Sequence, residues 1–376
     1  MNPGLYLHIP FCEQRCYYCA FTVAVTPEHT FEPYVDRLVR EIALSGFDRD
    51  PCTVYFGGGT PSLINSELLG RVLKALPRVP EEVSIEVNPG TLSDTKVQHY
   101  KDLGISRISL GAQSLEDEDL ERAGRLHRAT AVFSDFEMLR RQGFTNINLD
   151  LIAGLPGQQI QTWTRNLDRV IELRPEHISI YMLDQEERSA WARLPAGVPE
   201  ESDFAAFYSL AESKLDAHGY VHYEISNWAL PGRECAHNIG YWSGIPYRGF
   251  GVGAHSFDGA RRFWNTSSLA DYAAIVDAGR LPIVEEEVLT PDIQLEEAFL
   301  LGLRQAAGID VQLIAGRFGL TYAPEWFVRV RQLEEAGLIR INDSILQLTA
   351  KGRLAANSVI EELLWPTPTS TAPHCP

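Results

Sequence analysis

Residues 5–21 read LYLHIPFCEQRCYYCAF, and this stretch decides how the chain is read. A short apolar run, LYLHI, leads into a loop that carries Cys12, Cys16 and Cys19. Three of the six cysteines therefore fall within eight positions, with three and then two residues between them. In a reducing compartment such a cluster points to metal rather than to disulfides. A structural zinc site wants four ligands, and no fourth lies close by; His8 and His29 are the nearest imidazoles. Three soft thiolates at this spacing suit an iron–sulfur cluster with one iron left open. An open iron is a place to hold a small chelating molecule. Cys52 precedes an apolar strand and reads as plain core.

Outward from this loop, one pattern recurs six times. A short apolar or β-branched run ends in a polar or glycine-rich tip, and a helical stretch follows. The runs lie at 5–12, 53–62, 83–90, 107–114, 146–158 and 177–186. Amphipathic segments such as YVDRLVREIALSG (34–46) and SDFEMLRRQG (134–143) separate them. Strands alternating with helices predict an α/β fold with a parallel sheet, curled by right-handed crossovers into a full or partial (β/α) barrel. The reactive face of such a barrel is the C-terminal end of its strands, and every polar tip falls there.

Each tip has a chemical reading. GGGTPS (57–62) exposes main chain that a ligand can approach closely. Glu86 in EVNP can hold an ammonium group. Gln113 in GAQS can hydrogen-bond hydroxyls or a carboxylate. Arg125 in GRLH can fork onto a carboxylate. Asp150, inside the apolar run NINLDLIAGLPG, is costly to bury unless it is paired or meets ligand hydroxyls. An ammonium, a carboxylate, vicinal hydroxyls and a chelating amino acid end describe S-adenosylmethionine.

The 376 residues carry 33 basic and 50 acidic side chains, a net charge of −17. Such a surface repels nucleic-acid phosphates and anionic lipid heads. With 45% hydrophobic and 22% charged residues, the chain can build a sizeable core, which excludes a disordered chain. No apolar run approaches the ~18 residues needed to span a bilayer. The opening MNPGLYLHIPFC lacks the basic-then-apolar order of a signal peptide. The expectation is a soluble, cytoplasmic protein.

In the last third, DIQLEEAFLLGLRQA (292–306) reads as an amphipathic helix. Helices near 310–317 and 324–336 follow, then two short strands within 338–349 about an Asn342-Asp343 turn, then a final helix over 350–363. This order resembles a winged helix, here read as a lid or docking module. The acidic stretch 285–299 and the few basic residues of its third helix argue against DNA binding.

CxxxCxxC after the first strand, followed by GGGTPS, resembles the radical S-adenosylmethionine superfamily. The match narrows with EVNPG, GAQS, NLDLIAGLPGQ, YEISNWA and LTAKGR, which look like the family around oxygen-independent coproporphyrinogen III oxidase, across about residues 4–362. Two branches divide there. The decarboxylating oxidase resembles CxxxCxxCxC with a longer preceding segment. Here Phe21 takes the last position and only eleven residues precede Cys12. The haem chaperone branch has CxxxCxxCxF and a later HNxxYW, matched by Phe21 and by HNIGYW at 237–242. Ala20 departs from the acidic residue common in that branch.

The resemblance implies a partial (β/α)6 radical S-adenosylmethionine barrel over 1–225. A haem-associated connection would follow at 226–285, a winged-helix-like α+β domain at 286–364 and a flexible tail at 365–376. Cys12, Cys16 and Cys19 would ligate a [4Fe-4S] cluster. Tyr6, Gly58, Gly59, Thr60, Glu86, Gln113, Arg125 and Asp150 would bind S-adenosylmethionine, Arg125 being placed by its twelve-residue distance from Gln113. Haem would be bound and passed to acceptor proteins of respiration, with transient membrane-protein contact and a homodimer as further expectations, and no nucleic acid.

His237 is the main candidate for an axial haem ligand, with Tyr241 and Trp242 as flat surface against the porphyrin. Cys235 and the terminal His374-Cys375-Pro376 are weaker candidates. His255, in GVGAHSF, follows a glycine stretch (249–253) that lacks the strand-to-helix context of a dinucleotide loop. The competing enzyme reading is oxidative decarboxylation of coproporphyrinogen III to protoporphyrinogen IX.

Overall fold

Six strands alternate between apolar and more polar side chains through their first four residues. They are β1 (Gly4–Ile9), β2 (Thr53–Gly58), β3 (Glu82–Val87), β4 (Arg107–Gln113), β5 (Ile147–Ala153) and β6 (His177–Met182). Leu5, Leu7, Val54, Phe56, Ile85, Ile108, Leu149 and Ile178 are fully buried in one core. Their neighbours in sequence, Tyr6, Tyr55, Ser84, Glu86, Arg107, Ser109, Asn148, Asp150, His177 and Ser179, take the opposite face. Successive residues of a strand point to opposite faces, so one face packs under helices and the other lines a polar interior.

The computed structural model describes residues 2–183, 201–364 and 369–370. In it β1 to β6 pair in sequence order, all parallel. The crossovers are α1 (Phe31–Ser45), α2 (Ser66–Lys74), α3 (Asp94–Asp102), α4 (Asp117–Arg122), α5 (Ala129–Arg141) and α6 (Ile160–Leu173). β1 and β6 do not pair with each other, so the barrel is partial, as expected from the sequence. After α7 (Glu201–Ala217), β7 (Val221–Glu224) and β8 (Asn227–Ala229) extend the β6 edge antiparallel.

The helix α8 (Ala236–Trp242) precedes β9 (Tyr247–Phe250), which joins β1 in parallel. β10 (His255–Phe257) and β11 (Arg261–Asn265) follow antiparallel. After α9 (Leu269–Asp277), β12 (Ile283–Val288) closes the twelve-stranded sheet as its outermost strand. Glu285, Glu286 and Glu287 stand exposed on it.

The C-terminal part has its own core, in which Leu295 and Phe299 of α10 (Pro291–Gly302) meet Trp326 of α12 (Pro324–Glu335). α11 (Val311–Phe318) lies between them in sequence, and a small antiparallel sheet completes the unit. The hairpin turns one residue later than expected: Asn342 pairs with Ile345, and Asp343 takes the left-handed backbone at φ 53°. The final helix is split into Ala350–Leu354 and Ala356–Leu364. Cys52 is exposed, not core. It sits one residue ahead of β2, where the chain has not yet entered the sheet.

Candidate functional site

The cysteine loop is pinned at both ends. At its base the Cys12 amide donates to Ala24 O at 3.0 Å and the Ala24 amide to Pro10 O at 2.7 Å. At its far side the Gln14 side chain donates to Gly124 O at 2.8 Å, and the Tyr17 amide to Ala123 O at 3.1 Å. The loop therefore stretches from β1 to the turn after α4. Cys12, Cys16 and Cys19 are half-buried free thiols, and all three line one cavity of about 390 Å³.

The glycine turn after β2 packs onto this loop. A Cβ on Gly59 would lie 2.6 Å from Pro10 O and 2.7 Å from Phe11 O. One on Gly58 (φ 118°) would meet the His8 ring at 2.5 Å. The glycines thus admit the chain's own first strand, and the amides of Gly59 and Thr60 donate to Ile9 O and Phe11 O. Gly58, Gly59 and Thr60 line the cavity. The Thr60 hydroxyl stands 3.5 Å from Cys12 Sγ and accepts from Asn88 Nδ2 at 2.9 Å.

Opposite the thiols, the same cavity holds two carboxylates. Glu86 accepts the Gly58 amide at 3.0 Å. Burial, and then the Asp150 charge, push its pKa up to about 7. Asp150 accepts from Ser109 Oγ at 2.9 Å and Asn148 Nδ2 at 2.8 Å, and burial raises its pKa as well. Gln113 ends β4 after a bulge, with its backbone left-handed at φ 63°. Such a conformation is costly for a non-glycine residue and gathers at functional sites.

Arg125 runs beneath the thiols. Its Nη1 stands 3.6 Å from Cys16 Sγ and 3.3 Å from the Tyr18 hydroxyl. Nη2 donates to Asn88 Oδ1 and Gly111 O, both at 2.9 Å, which leaves Nε as a buried donor without a partner. Tyr6 is the exception among the expected ligand contacts. It lines a second cavity, of about 770 Å³, and its hydroxyl meets His8 Nδ1 at 3.1 Å. Ala20 and Phe21 border both cavities.

Three thiols on one cavity are a donor set that fits an iron–sulfur cluster. Among the described residues no three His, Cys, Asp or Glu side chains converge on one ion. Burial pushes the Cys12 thiol up to about 11 and raises that of Cys19, so both stay protonated until a cation draws the proton away. The paired carboxylates and the orphan Arg125 donor give the space a negative and a positive end, which fits a zwitterionic cationic ligand.

His237 is buried on α8. Its Nδ1 is 2.8 Å from Thr53 Oγ1 and its Nε2 is 2.9 Å from the Tyr241 hydroxyl. Its ring stacks on Tyr55 at 5.1 Å, and burial lowers its pKa to about 3. Neither nitrogen is open to an iron in this arrangement. Glu82 caps the helix by accepting the amides of Ala236 and His237, both at 2.9 Å. Cys235 is buried with its thiol 3.7 Å from Glu82 Oε1, so it faces neither cavity. Tyr241 and Trp242 do line the larger one. Residues 374–376 lie outside the described residues.

The polar interior is a feature that the sequence expectations above do not contain. Asn148 bridges Ser109, Asp150 and His177, and Asn88 bridges Thr60 and Arg125. The signal was present: a parallel strand buried on both faces is usually a continuous apolar run, whereas RISLG and INLDL alternate.

The radical SAM superfamily pattern matches residues 6–170, and that of the HemN C-terminal domain matches 289–355. The chain is 35% identical to the heme chaperone HemW of Bacillus subtilis, over 96% of this chain and 98% of that protein. It is 35% identical to the heme chaperone HemW of Escherichia coli, over 67% and 69%. Among solved structures, coproporphyrinogen III oxidase (HemN) from E. coli, described as a radical SAM enzyme, superposes with a TM-score of 0.85 at 26% identity, over 96% of this chain and 90% of that one. With a polar half-open barrel, three thiols at its mouth and relatives matched almost end to end, the chain belongs to the HemW heme chaperone family of the radical SAM superfamily.

Proposed function

We propose that the chain binds haem and hands it to acceptor proteins, on a barrel that carries a [4Fe-4S] cluster and S-adenosylmethionine. The observation that carries this reading is the pair of cavities meeting at Ala20 and Phe21, one with the chemistry of a cofactor site and one large enough for a macrocycle. Phe21 stands where the decarboxylating branch has a fourth cysteine.

In this reading Cys12, Cys16 and Cys19 hold the cluster, which when bound supplies an open iron and an electron. Glu86 receives the ligand's ammonium, Asp150 its hydroxyls, and Gln113 and Arg125 Nε donate to its carboxylate. Gly58, Gly59 and Thr60 keep the turn narrow beside it, and Tyr6 backs the site from the larger cavity. Arg125 also places a positive charge beside Cys16.

The likeness to HemN favours a second reading, oxidation of coproporphyrinogen III. Anaerobic reconstitution with iron and sulfide, then parallel haem titration and coproporphyrinogen turnover, separates the two. The expected result is a Soret band that transfers to an apo-haemoprotein, with no protoporphyrinogen formed. Robust protoporphyrinogen formation without haem uptake overturns it.

A further inference from the structure

The cavity of about 770 Å³ lies between the cysteine loop, the strands β10 and β11, and the helices α10 and α11. Small-molecule sites run about 300–1,000 Å³ and join apolar walls to a few placed polar groups. Here Phe21, Trp242 and Leu313 supply apolar surface, and Arg262 and Arg317 supply charge. Phe21 is 69% exposed and Leu313 is 72% exposed, so both offer surface that the chain itself does not cover.

Three imidazoles stand in this cavity or directly behind it. An axial ligand must offer iron a ring nitrogen with a free lone pair. His8 has Nδ1 at the Tyr6 hydroxyl and Nε2 2.8 Å from Thr22 O. His237 is held at both nitrogens. His255 lines the cavity, is exposed, and makes no side-chain hydrogen bond among the described residues. Its ring lies along Trp264 at 5.3 Å and 19°, which orients it without using a nitrogen. Partial burial, and then the Arg262 charge, hold its pKa below the ordinary imidazole value, so the neutral, ligating form prevails at pH 7.

The turn ahead of His255 is closely packed. A Cβ on Gly253 would meet Thr22 at 2.8 Å, so the turn two residues before His255 presses on the segment behind the cysteines. The two arginines differ in the same way as the imidazoles. Arg262 is bonded to Glu297. Arg317, in the last turn of α11, makes no ion pair among the described residues and stands 4.9 Å over the Phe318 ring. An open guanidinium matches a carboxylate in a forked pair.

We propose that haem docks in this cavity, with His255 as the axial ligand to its iron and Arg317 holding a propionate carboxylate. The assignment rests on the haem-carrying reading above and moves the ligand from His237 to His255. A single side-chain ligand in an open-sided cavity suits a cargo that must leave again.

The test is haem titration of the full chain, anaerobic and with its cluster reconstituted, followed by optical and paramagnetic resonance spectra. His255→Ala is expected to shift the Soret band and abolish the histidine-ligated signal, and added imidazole to restore both. Arg317→Gln is expected to weaken binding roughly tenfold with the spectrum unchanged, the loss of one charge-assisted pair. His237→Ala is expected to lower the melting temperature and leave the spectrum as in the wild type. A wild-type spectrum in His255→Ala, or full affinity in Arg317→Gln, overturns the site and leaves the carrier reading intact. Failure of the wild-type chain to take up haem removes both. Should His255→Ala not fold, His255→Gln is read in its place.

Discussion

The Gly58 amide and the Glu86 carboxylate are joined across 3.0 Å, tying the turn after β2 to the tip of β3 at the floor of the smaller cavity. This bond stabilises the ionised acid, yet desolvation and Asp150 outweigh it and Glu86 stands at about 7 rather than 4.5. Between those two values the folded chain holds a proton that the unfolded chain has lost. Stability must therefore fall as pH rises through that window. Because Glu86 faces a water-accessible cavity, the effect is on the order of 1–2 kcal/mol rather than the full shift. Denaturant unfolding at pH 5 and pH 8 should show the wild type losing that much relative to Glu86→Gln, and an identical pH dependence for both would refute the assignment.

Gly59→Ala should be severely destabilising, because both atoms met by the new Cβ are backbone carbonyl oxygens that cannot rotate away. We expect a cost of roughly 1–3 kcal/mol, the range for overpacking, together with loss of iron after reconstitution. Gly316→Ala is the contrast. Its Cβ meets nothing within 4 Å in the middle of α11, and the gain should be about 0.5–1 kcal/mol. Equal melting temperatures for the two variants would contradict this account.

His237→Phe removes the partner of two hydroxyls at once, Thr53 and Tyr241. Unsatisfied buried groups of this kind cost about 1–3 kcal/mol each. Thermal unfolding should report a loss of several degrees, while the iron content after reconstitution stays at the wild-type level.

The cysteines should divide by burial. Serine at Cys12, Cys16 and Cys19 together should abolish iron and sulfide uptake, whereas Cys235→Ala should keep both. In the folded chain a thiol reagent should modify the exposed Cys52 quickly and the buried Cys235 only on unfolding. Rapid labelling of Cys235 would show that α8 opens.

Most of the site was legible because its chemistry sits at strand ends. Cysteine spacing, GGGTPS, Glu86 and Asp150 could be placed from local pattern alone, and the six parallel strands followed from their alternation with helices. What could not be read depends on contacts distant in sequence. His237 looked like a ligand until Thr53, 184 positions away, took one of its nitrogens. The last helix reads as continuous, because no glycine or proline marks Ala355, where the backbone leaves the helical path at φ −115°. Arg125 reads as a carboxylate fork, but Asn88 and Gly111 take its Nη2, and Cys16 and Tyr18 face its Nη1. Tyr6 follows the strand alternation correctly and still faces the other cavity.

The glutamates of β12 bear on how two copies of the chain could meet. An outermost strand is ordinarily a template for a foreign strand. Here an antiparallel twin would bring a run of three acids alongside another run of three, and like charges set opposite each other repel. Zipping two copies together along this edge is thereby discouraged, although Glu286 is partly offset by Arg261.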